Sequence, residues 1–411
     1  MAFHDTSNVK SSWATAERRD RDFGSSDVAD TEVFIFAGGG TGGHLFPGIA
    51  VAEELLHCRP AARAVFVGSH RQVERRIVCE AGFEHFALPV ESTALLKRNP
   101  LRFAWNNWRA CRSAGRLLDD LRPRAVVGLG GFASVPVVRA AAKVGVRSVL
   151  LEQNAIPGRA TRFLARRASS VCLSFAGSAE HLPRSIDSVL TGNPVRAEIA
   201  NLFHDSEGRT EGRHATILVL GGSQGARAVN DAALAAFFAL KEPLVSGGVQ
   251  LVHQTGADDV ERVREQYREV GLDATVAPFF HNMPQLYRRA SLVVSRAGAT
   301  TLAEIACARL PSILIPFPNS VRGHQRHNAL AFTHSGAAEL IDQGNQCDSR
   351  LAEVVERLLR SPADLDAMSA AAAALALPDA VSAVVDCLLG TEANEIERET
   401  SSVDSPGATT L

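Results

Sequence analysis

Ala37-Gly38-Gly39-Gly40-Thr41-Gly42-Gly43-His44-Leu45-Phe46-Pro47-Gly48 follows the apolar run Val33-Phe34-Ile35-Phe36 and precedes Ile49-Ala50-Val51-Ala52-Glu53-Glu54-Leu55-Leu56. The apolar run has the character of a buried parallel strand, and the residues after the glycines carry helical spacing. The glycine stretch therefore falls at a strand-to-helix junction, at the carboxyl edge of a sheet, where open α/β folds bind ligands. Its glycines allow a ligand or a second backbone to come close. The N–H groups of the following helix favour an anionic group there. His44 is the one titratable side chain in the loop, and a histidine ordinarily titrates near neutrality. The spacing is neither the GxGxxG of a dinucleotide fold nor the GK[ST] ending of a P-loop. Tight packing and an unrelated nucleotide site both remain open on the glycines alone.

Outward from that loop the same plan recurs. Ala64-Val65-Phe66-Val67-Gly68 reads as a second strand and Phe86-Ala87-Leu88-Pro89-Val90 as a third. Ala125-Val126-Val127-Gly128-Leu129-Gly130-Gly131-Phe132 is a strand and glycine turn, and Ser148-Val149-Leu150-Leu151-Glu152-Gln153-Asn154 a strand ending in polar residues. Val189 to Arg196 is a strand and turn, followed by a polar stretch from Asn201 to His214 that marks a domain boundary. The second half opens with the strand Thr216-Ile217-Leu218-Val219-Leu220, a second glycine loop, Gly221-Gly222-Ser223-Gln224-Gly225, and a helix from Ala228 to Leu240. Further strands fall at Gln250–Gln254, Thr275–Phe280, Ser291–Ser295 and Ser312–Phe317, and residues 350 to 390 read as helices. Two βα arrays, each opening with a glycine loop, give an α/β fold of two facing, doubly wound, Rossmann-like domains with a cleft between them. The expected limits are a disordered extension over 1–30, an N-terminal domain over 31–193 and a C-terminal domain over 194–365. C-terminal helices over 366–390 are expected to pack back on the first domain, before a disordered tail over 391–411.

The 411 residues carry a net charge of −2, with 46% hydrophobic and 21% charged residues, so nothing in the charge balance calls for nucleic acid. The seven cysteines are dispersed without a CxxC pair, which fits thiols in a reducing compartment rather than disulfides. Neither a secretory h-region in residues 1–30 nor a run of about 18–20 apolar residues is present, so membrane contact is expected to be peripheral. Leu95 to Arg116 is the place for it. Asn99-Pro100 caps a helix that puts Leu101, Trp105 and Trp108 on one face, with Leu95 and Leu96 nearby and Lys97, Arg98, Arg102, Arg109, Arg112 and Arg116 around them. The segment is either an apolar patch with a basic rim that docks on an anionic membrane, or a helix with core tryptophans and solvated arginines.

Taken together, GGGTGGHLFPG, GLGGF, LEQNAIPG, GNPVR, GGSQGARAVN, SRAGATTLAEIA and HQRHNA resemble, in order, the blocks of the MurG-type transferases, from about Val33 to Leu389. These are UDP-N-acetylglucosamine–undecaprenyl-diphospho-N-acetylmuramoyl-pentapeptide N-acetylglucosaminyltransferases. The resemblance implies a GT-B glycosyltransferase that moves N-acetylglucosamine, with inversion, to the 4-hydroxyl of the muramoyl sugar of lipid I. Lipid II for peptidoglycan synthesis is the product. It implies a peripheral protein on the cytoplasmic side of the bacterial cell membrane, with the apolar patch on the anionic leaflet. No cofactor is expected, and no metal, since no ligand cluster stands in the sequence.

The resemblance also assigns residues. His44 is the candidate base, against the plainer role of holding its loop by hydrogen bonds. Thr41, Gly42 and Gly43 line the cleft near donor sugar and diphosphate, and Asn154 contacts the N-acetylglucosamine. Arg196 and Ser223 contact the nucleotide, and the Phe280 main chain reads the uracil edge. Ala299, Thr300, Thr301, Leu302, Ala303 and Glu304 cradle ribose and sugar. Glu304 accepts the two ribose hydroxyls, a carboxylate being suited to a diol, against the plainer role of a first-turn glutamate facing the helix dipole. Gln325 reaches the sugar hydroxyls with His324 beside it. Phe132 stands where the family usually has tyrosine, so a hydroxyl is absent there. The alternatives are another GT-B lipid glycosyltransferase, against which EQN followed by GNPVR argues, and a non-catalytic nucleotide-sugar-binding subunit, against which intact His44, Ser223 and Glu304 argue.

Overall fold

The computed structural model describes residues 31–40, 42–91, 99–205, 215–222 and 225–390. The terminal extensions, Thr41, Leu95, Leu96, Lys97, Arg98 and Ser223 lie outside these.

The first domain is a seven-stranded parallel sheet in the order β3-β2-β1-β4-β5-β6-β7. Its strands are β1 (Val33–Gly38), β2 (Arg63–Gly68), β3 (Glu84–Ala87), β4 (Ala125–Gly130), β5 (Arg147–Glu152), β6 (Ser170–Leu173) and β7 (Ser188–Leu190). The central strand β1 is buried throughout and its side chains alternate between two cores. Phe34 and Phe36 pack on the helix Gly42–Cys58, whereas Ile35 and Ala37 face the helices Pro100–Leu121 and Gly131–Lys143. Burial on both faces is why β1 reads as a continuous apolar run. The third strand lies at Glu84–Ala87 rather than at Phe86–Val90, so Pro89, which has no N–H for a ladder, falls outside it.

The second domain is a six-stranded parallel sheet in the order β10-β9-β8-β11-β12-β13. Its strands are β8 (Thr216–Leu220), β9 (Gln250–Gln254), β10 (Ala274–Ala277), β11 (Leu292–Ser295), β12 (Ser312–Leu314) and β13 (Ala338–Leu340). Residues 350–390 form three helices, Cys347–Arg360, Pro362–Ala374 and Ala380–Leu389. The first two contribute Leu351, Val354, Met368 and Ala372 to the second domain's cores. The last returns to the first domain, where Val384, Val385 and Leu388 join the Phe34–Phe36 core and the Arg147 guanidinium donates to the Cys387 carbonyl at 2.8 Å.

Strand order reverses between β1 and β4 in the first sheet and between β8 and β11 in the second. Both glycine loops therefore leave the carboxyl ends of switch-point strands, where open α/β sheets bind ligands. In the first domain the loops after β1 and β4 lie against each other. Gly131 has φ +74°, and a Cβ there would come within 2.6 Å of the Gly39 carbonyl oxygen, so only glycine fits. Gly225 plays the same part in the second domain: its φ is +75° and a Cβ would meet the Thr255 carbonyl oxygen at 2.5 Å.

Candidate functional site

The first glycine loop is held by a carboxylate. Glu74, 1% exposed in the helix Gln72–Glu80, accepts hydrogen bonds from the Gly40 N–H (2.7 Å), the Ser69 N–H (2.7 Å) and the Ser69 hydroxyl (2.9 Å). Three donors around one buried carboxylate fix the loop's shape. They also engage the Gly40 N–H, which is thereby withdrawn from an anion in the cleft. The signal for Glu74 was an acidic residue on the apolar face of an amphipathic helix, and spacing alone did not tie it to the loop.

His44 opens the helix Gly42–Cys58 and is half-buried. Its Nδ1 lies 3.0 Å from Oε1 of Gln153 at the end of β5, and Gln153 Nε2 donates to the Leu129 carbonyl at 3.2 Å. The two residues flanking Gln153 are equally engaged. Glu152 accepts from the Asn154 N–H (3.0 Å) and the Gly158 N–H (2.8 Å), closing the turn after β5. Asn154 meets the second domain: its Oδ1 accepts from Asn328 Nδ2 at 3.2 Å, and the neighbouring Ala155 N–H donates to Asn328 Oδ1 at 2.8 Å. Asn328 is fully buried and also donates to the Ala297 carbonyl. Gln153 and Asn328 both stood inside quoted motifs, but nothing in their spacing gave them a partner.

The helix Ala299–Cys307 follows β11 at the second switch point and points its N-terminus at the first domain. Its Thr300 hydroxyl donates to the Gly43 carbonyl at 3.3 Å and accepts from Asn193 Nδ2 at 3.3 Å. The first glycine-loop region and the Ala299–Cys307 helix thus meet across the cleft. Glu304 lies in the second turn of this helix, not the first, so helix-dipole compensation does not account for it. Its Oε2 accepts from the buried Tyr287 hydroxyl at 2.9 Å. Burial pushes the Glu304 carboxyl above the ordinary range, while the Tyr287 hydrogen bond and the nearby Arg196 charge pull it back. Arg196 thus lies close to Glu304. Leu302 is fully buried and its N–H is bonded to the Gly298 carbonyl, so it supports the helix rather than facing a ligand.

The Phe280 N–H is bonded to Gln254 Oε1 at 3.1 Å, and Gln254 Nε2 reaches the Gly222 carbonyl at 3.4 Å. A base edge bound at Phe280 through that N–H would displace Gln254. Gln325 Oε1 accepts from the Phe317 N–H at 2.9 Å, and His324 Nδ1 bonds the Val321 carbonyl at 2.9 Å, placing both at the start of the helix His324–His334. Phe132, 43% exposed, stands beside Gly131 at the rim of the first switch point.

The tryptophan helix spans Pro100–Leu121, with the Asn99 side chain accepting from the Arg102 N–H and Pro100 in its first turn. It buries Ala110, Ala114 and Leu118. Leu101 is 83% exposed, Trp105 59% and Trp108 53%, so the tryptophans are not core. Their rings stack at 5.3 Å, with the Arg112 guanidinium 5.7 Å from the Trp108 ring centroid.

Two facing parallel α/β sheets with a cleft at their switch points are the GT-B form, and the family matches make the chain a glycosyltransferase. The glycosyltransferase family 28 N-terminal domain matches residues 34–173, and the family 28 C-terminal domain matches residues 216–384. UDP-N-acetylglucosamine--N-acetylmuramyl-(pentapeptide) pyrophosphoryl-undecaprenol N-acetylglucosamine transferases are similar over most of their length. That of Geobacter sp. (strain M21) is 40% identical over 86% of this chain and 95% of its own. That of Moorella thermoacetica is 39% identical over 87% and 98%. The crystal structure of Acinetobacter baumannii MurG is similar with a TM-score of 0.70 and 27% identity, covering 87% of this chain and 99% of that one. A UDP-N-acetylglucosamine 2-epimerase from Neisseria meningitidis, at 13% identity and a TM-score of 0.59, shares the fold alone. The chain belongs to the MurG family of N-acetylglucosaminyltransferases within glycosyltransferase family 28.

Proposed function

We propose that this chain transfers N-acetylglucosamine from UDP-N-acetylglucosamine to the 4-hydroxyl of the muramoyl sugar of lipid I, making lipid II with inversion at the anomeric carbon. The observation that carries the reading is the meeting of a loop and a helix across the cleft. The His44 loop from the first switch point and the Glu304 helix from the second touch through Thr300 and Gly43, and the relatives bearing this chain's motifs are named for this reaction. The acceptor hydroxyl attacks C1 of the donor sugar as His44 takes its proton, and the C1–O bond breaks with its electron pair leaving on UDP. Glu304, oriented by Tyr287, accepts the ribose hydroxyls. The second glycine loop faces the diphosphate, where N–H groups meet the charge that develops on the leaving group. Asn154 serves the site by joining the domains through Asn328, beside the sugar position assigned to it.

The test is UDP release by purified protein from UDP-N-acetylglucosamine, with and without a soluble lipid I analogue. Release that requires the analogue, with a disaccharide product by mass spectrometry, is the expected outcome. Release with a different lipid acceptor only would move the chain to another lipid glycosyltransferase, and donor binding with no release for any acceptor would make it a binding subunit.

The site works at the cytoplasmic face of the membrane, with Leu101, Trp105 and Trp108 in the interface and arginines against anionic headgroups. Their exposure supports this, as does a second cluster in which Arg139 and Arg167 flank the exposed ring of Phe163. No described helix is long and apolar enough to cross a membrane. Trp105→Ser with Trp108→Ser is expected to abolish most sedimentation with anionic vesicles while leaving turnover of a soluble acceptor intact. Unchanged sedimentation would remove the patch from membrane docking.

A further inference from the structure

The orientation of one buried amide decides which nitrogen of His44 is basic. Gln153 is 3% exposed and its side chain has two neighbours, the Leu129 carbonyl oxygen at 3.2 Å and His44 Nδ1 at 3.0 Å. A backbone carbonyl only accepts hydrogen bonds, so the amide NH₂ must face Leu129. With the amide reversed, two oxygens would face each other with no proton between them and the buried Gln153 oxygen would have no donor, at a cost of about 1–3 kcal/mol. The Leu129 carbonyl therefore turns Gln153 Oε1 toward the histidine. An amide oxygen also only accepts, so the proton of the neutral imidazole must sit on Nδ1. The lone pair is left on Nε2, to which no described residue donates or accepts a bond.

We infer that Gln153 is a positioning residue for transfer, holding His44 in the Nδ1–H tautomer so that Nε2 is the proton acceptor. Free imidazole side chains in water prefer the opposite tautomer, with the proton on Nε2, which would present a donor to the acceptor hydroxyl instead of a base. The same Nδ1–H···Oε1 bond remains when Nε2 has taken the proton, so the ring keeps its orientation through the transfer. No net charge is placed beside the loop in doing so, unlike a carboxylate in the same position. The ring is fixed in rotation as well: a Cβ on Gly130 would lie 3.2 Å from His44 Nδ1 and Cε1, so the strand end walls that edge. The chain Leu129 carbonyl–Gln153 amide–His44 imidazole thus converts a strand-end carbonyl of β4 into a proton assignment at the cleft. This inference concerns the base of the reaction proposed above, and its test separates the two.

The test is ¹⁵N NMR of ring-labelled histidine in the full chain at about pH 9, where an ordinary imidazole is neutral. His44 signals are assigned by their loss in His44→Ala. The wild-type chain is expected to show a protonated Nδ1 and an unprotonated Nε2 at His44. Gln153→Leu is expected to move the proton to Nε2 and to lower kcat by roughly tenfold or more, with KM for UDP-N-acetylglucosamine unchanged within about twofold. A wild-type His44 protonated on Nε2 overturns the inference without need of any variant. So does a Gln153→Leu protein in which the proton stays on Nδ1. A tautomer that switches in Gln153→Leu while kcat holds would uphold Gln153 as the group that sets the proton and remove His44 from the base role.

Discussion

The two glycine loops look alike in the sequence and are braced by opposite means. Gly39 to Gly43 is held by the Glu74 carboxylate, which takes the Gly40 and Ser69 N–H groups and sets a negative charge behind the loop. The described residues Gly221, Gly222 and Gly225 are contacted only by neutral groups, the nearest carboxylate being Asp259, one step behind on Asn230 at 2.8 Å. The Gly221 N–H donates to the Gln254 carbonyl, the Gln254 amide reaches the Gly222 carbonyl, and Asn230 donates to the Thr255 carbonyl against which Gly225 packs. No carboxylate bonds the described part of that second loop. A negative charge behind a loop disfavours an anion in front of it, and this accords with the division proposed above: proton transfer at the first loop, the leaving diphosphate at the second. The histidines follow the same division. His253, on β9 behind the second loop, has Nδ1 bonded to Tyr267 and Nε2 to Asn230, and burial pushes its pKa down to about 3. It is a neutral structural group. His44 has one nitrogen tethered and the other open to the cleft.

The division is broken most directly at His44. His44→Ala is expected to lower kcat by about 10²–10⁴-fold, the ordinary worth of a general base, while donor affinity by calorimetry stays within a few-fold. An equal loss in both would place the first loop on the donor and dissolve the contrast. Glu304→Gln comes next. Loss of a charged acceptor for the ribose diol is expected to weaken donor binding by roughly 10–100-fold, on about 1.5–3 kcal/mol for a hydrogen bond to a charged group. Burial raises the Glu304 pKa, so its neutral form is reached at a higher pH than for a solvated carboxylate. Donor affinity in the wild-type chain should therefore fall on acidification before ordinary carboxylates protonate, and that extra fall should vanish in Glu304→Gln. Glu74→Gln sharpens the comparison at the other loop. It keeps the side-chain shape but turns one carboxylate oxygen into a donor facing the Gly40 or Ser69 donors, with an expected loss of about 1–3 kcal/mol in stability to denaturant. A second donor set with no charge behind it should also let the first loop hold inorganic pyrophosphate more tightly. Unchanged pyrophosphate affinity would mean that the charge of Glu74 does not govern what that loop binds.

The fold was legible because burial on both faces of parallel strands leaves a plain trace. Phe34-Ile35-Phe36-Ala37 and Ile217-Leu218-Val219-Leu220 are unbroken apolar runs followed at once by glycine. The edges were less clear, as at β3, where only four residues, three of them exposed, pair on one side. The candidate site was legible only at titratable side chains inside the glycine-rich motifs. His44 and Glu304 stand out by chemical type, but the residues that make them usable come from elsewhere in the fold. Glu74 and Gln153 are 30 and 109 positions from His44, and Tyr287 is 17 positions from Glu304. Hydrogen bonds across such distances leave no periodicity to read. The tryptophan helix shows the converse limit: spacing put Leu101, Trp105 and Trp108 on one face but could not say whether that face was inward, and their exposure decides it.

The smallest expected effect is the most discriminating for the second domain. Tyr287 is buried, and its hydroxyl touches Glu304 without reaching the cleft. Tyr287→Phe removes one hydrogen bond and nothing of the shape, and a bond of that kind to a carboxylate is worth about 1.5–3 kcal/mol before compensation by water or a shift of the side chain. Two consequences follow from its acting on the ionised form. The Glu304 pKa, already raised by burial, rises further because the group that favoured the charge is gone. Donor affinity at high pH, where Glu304 is ionised in either protein, falls only a few-fold, while the pH at which affinity is lost on acidification moves upward. A uniform loss at every pH would mean that Tyr287 merely aims the carboxylate. A shifted midpoint would mean that it holds the charge, and that the second domain, like the first, relies on a neutral side chain to set the state of the one that meets the substrate.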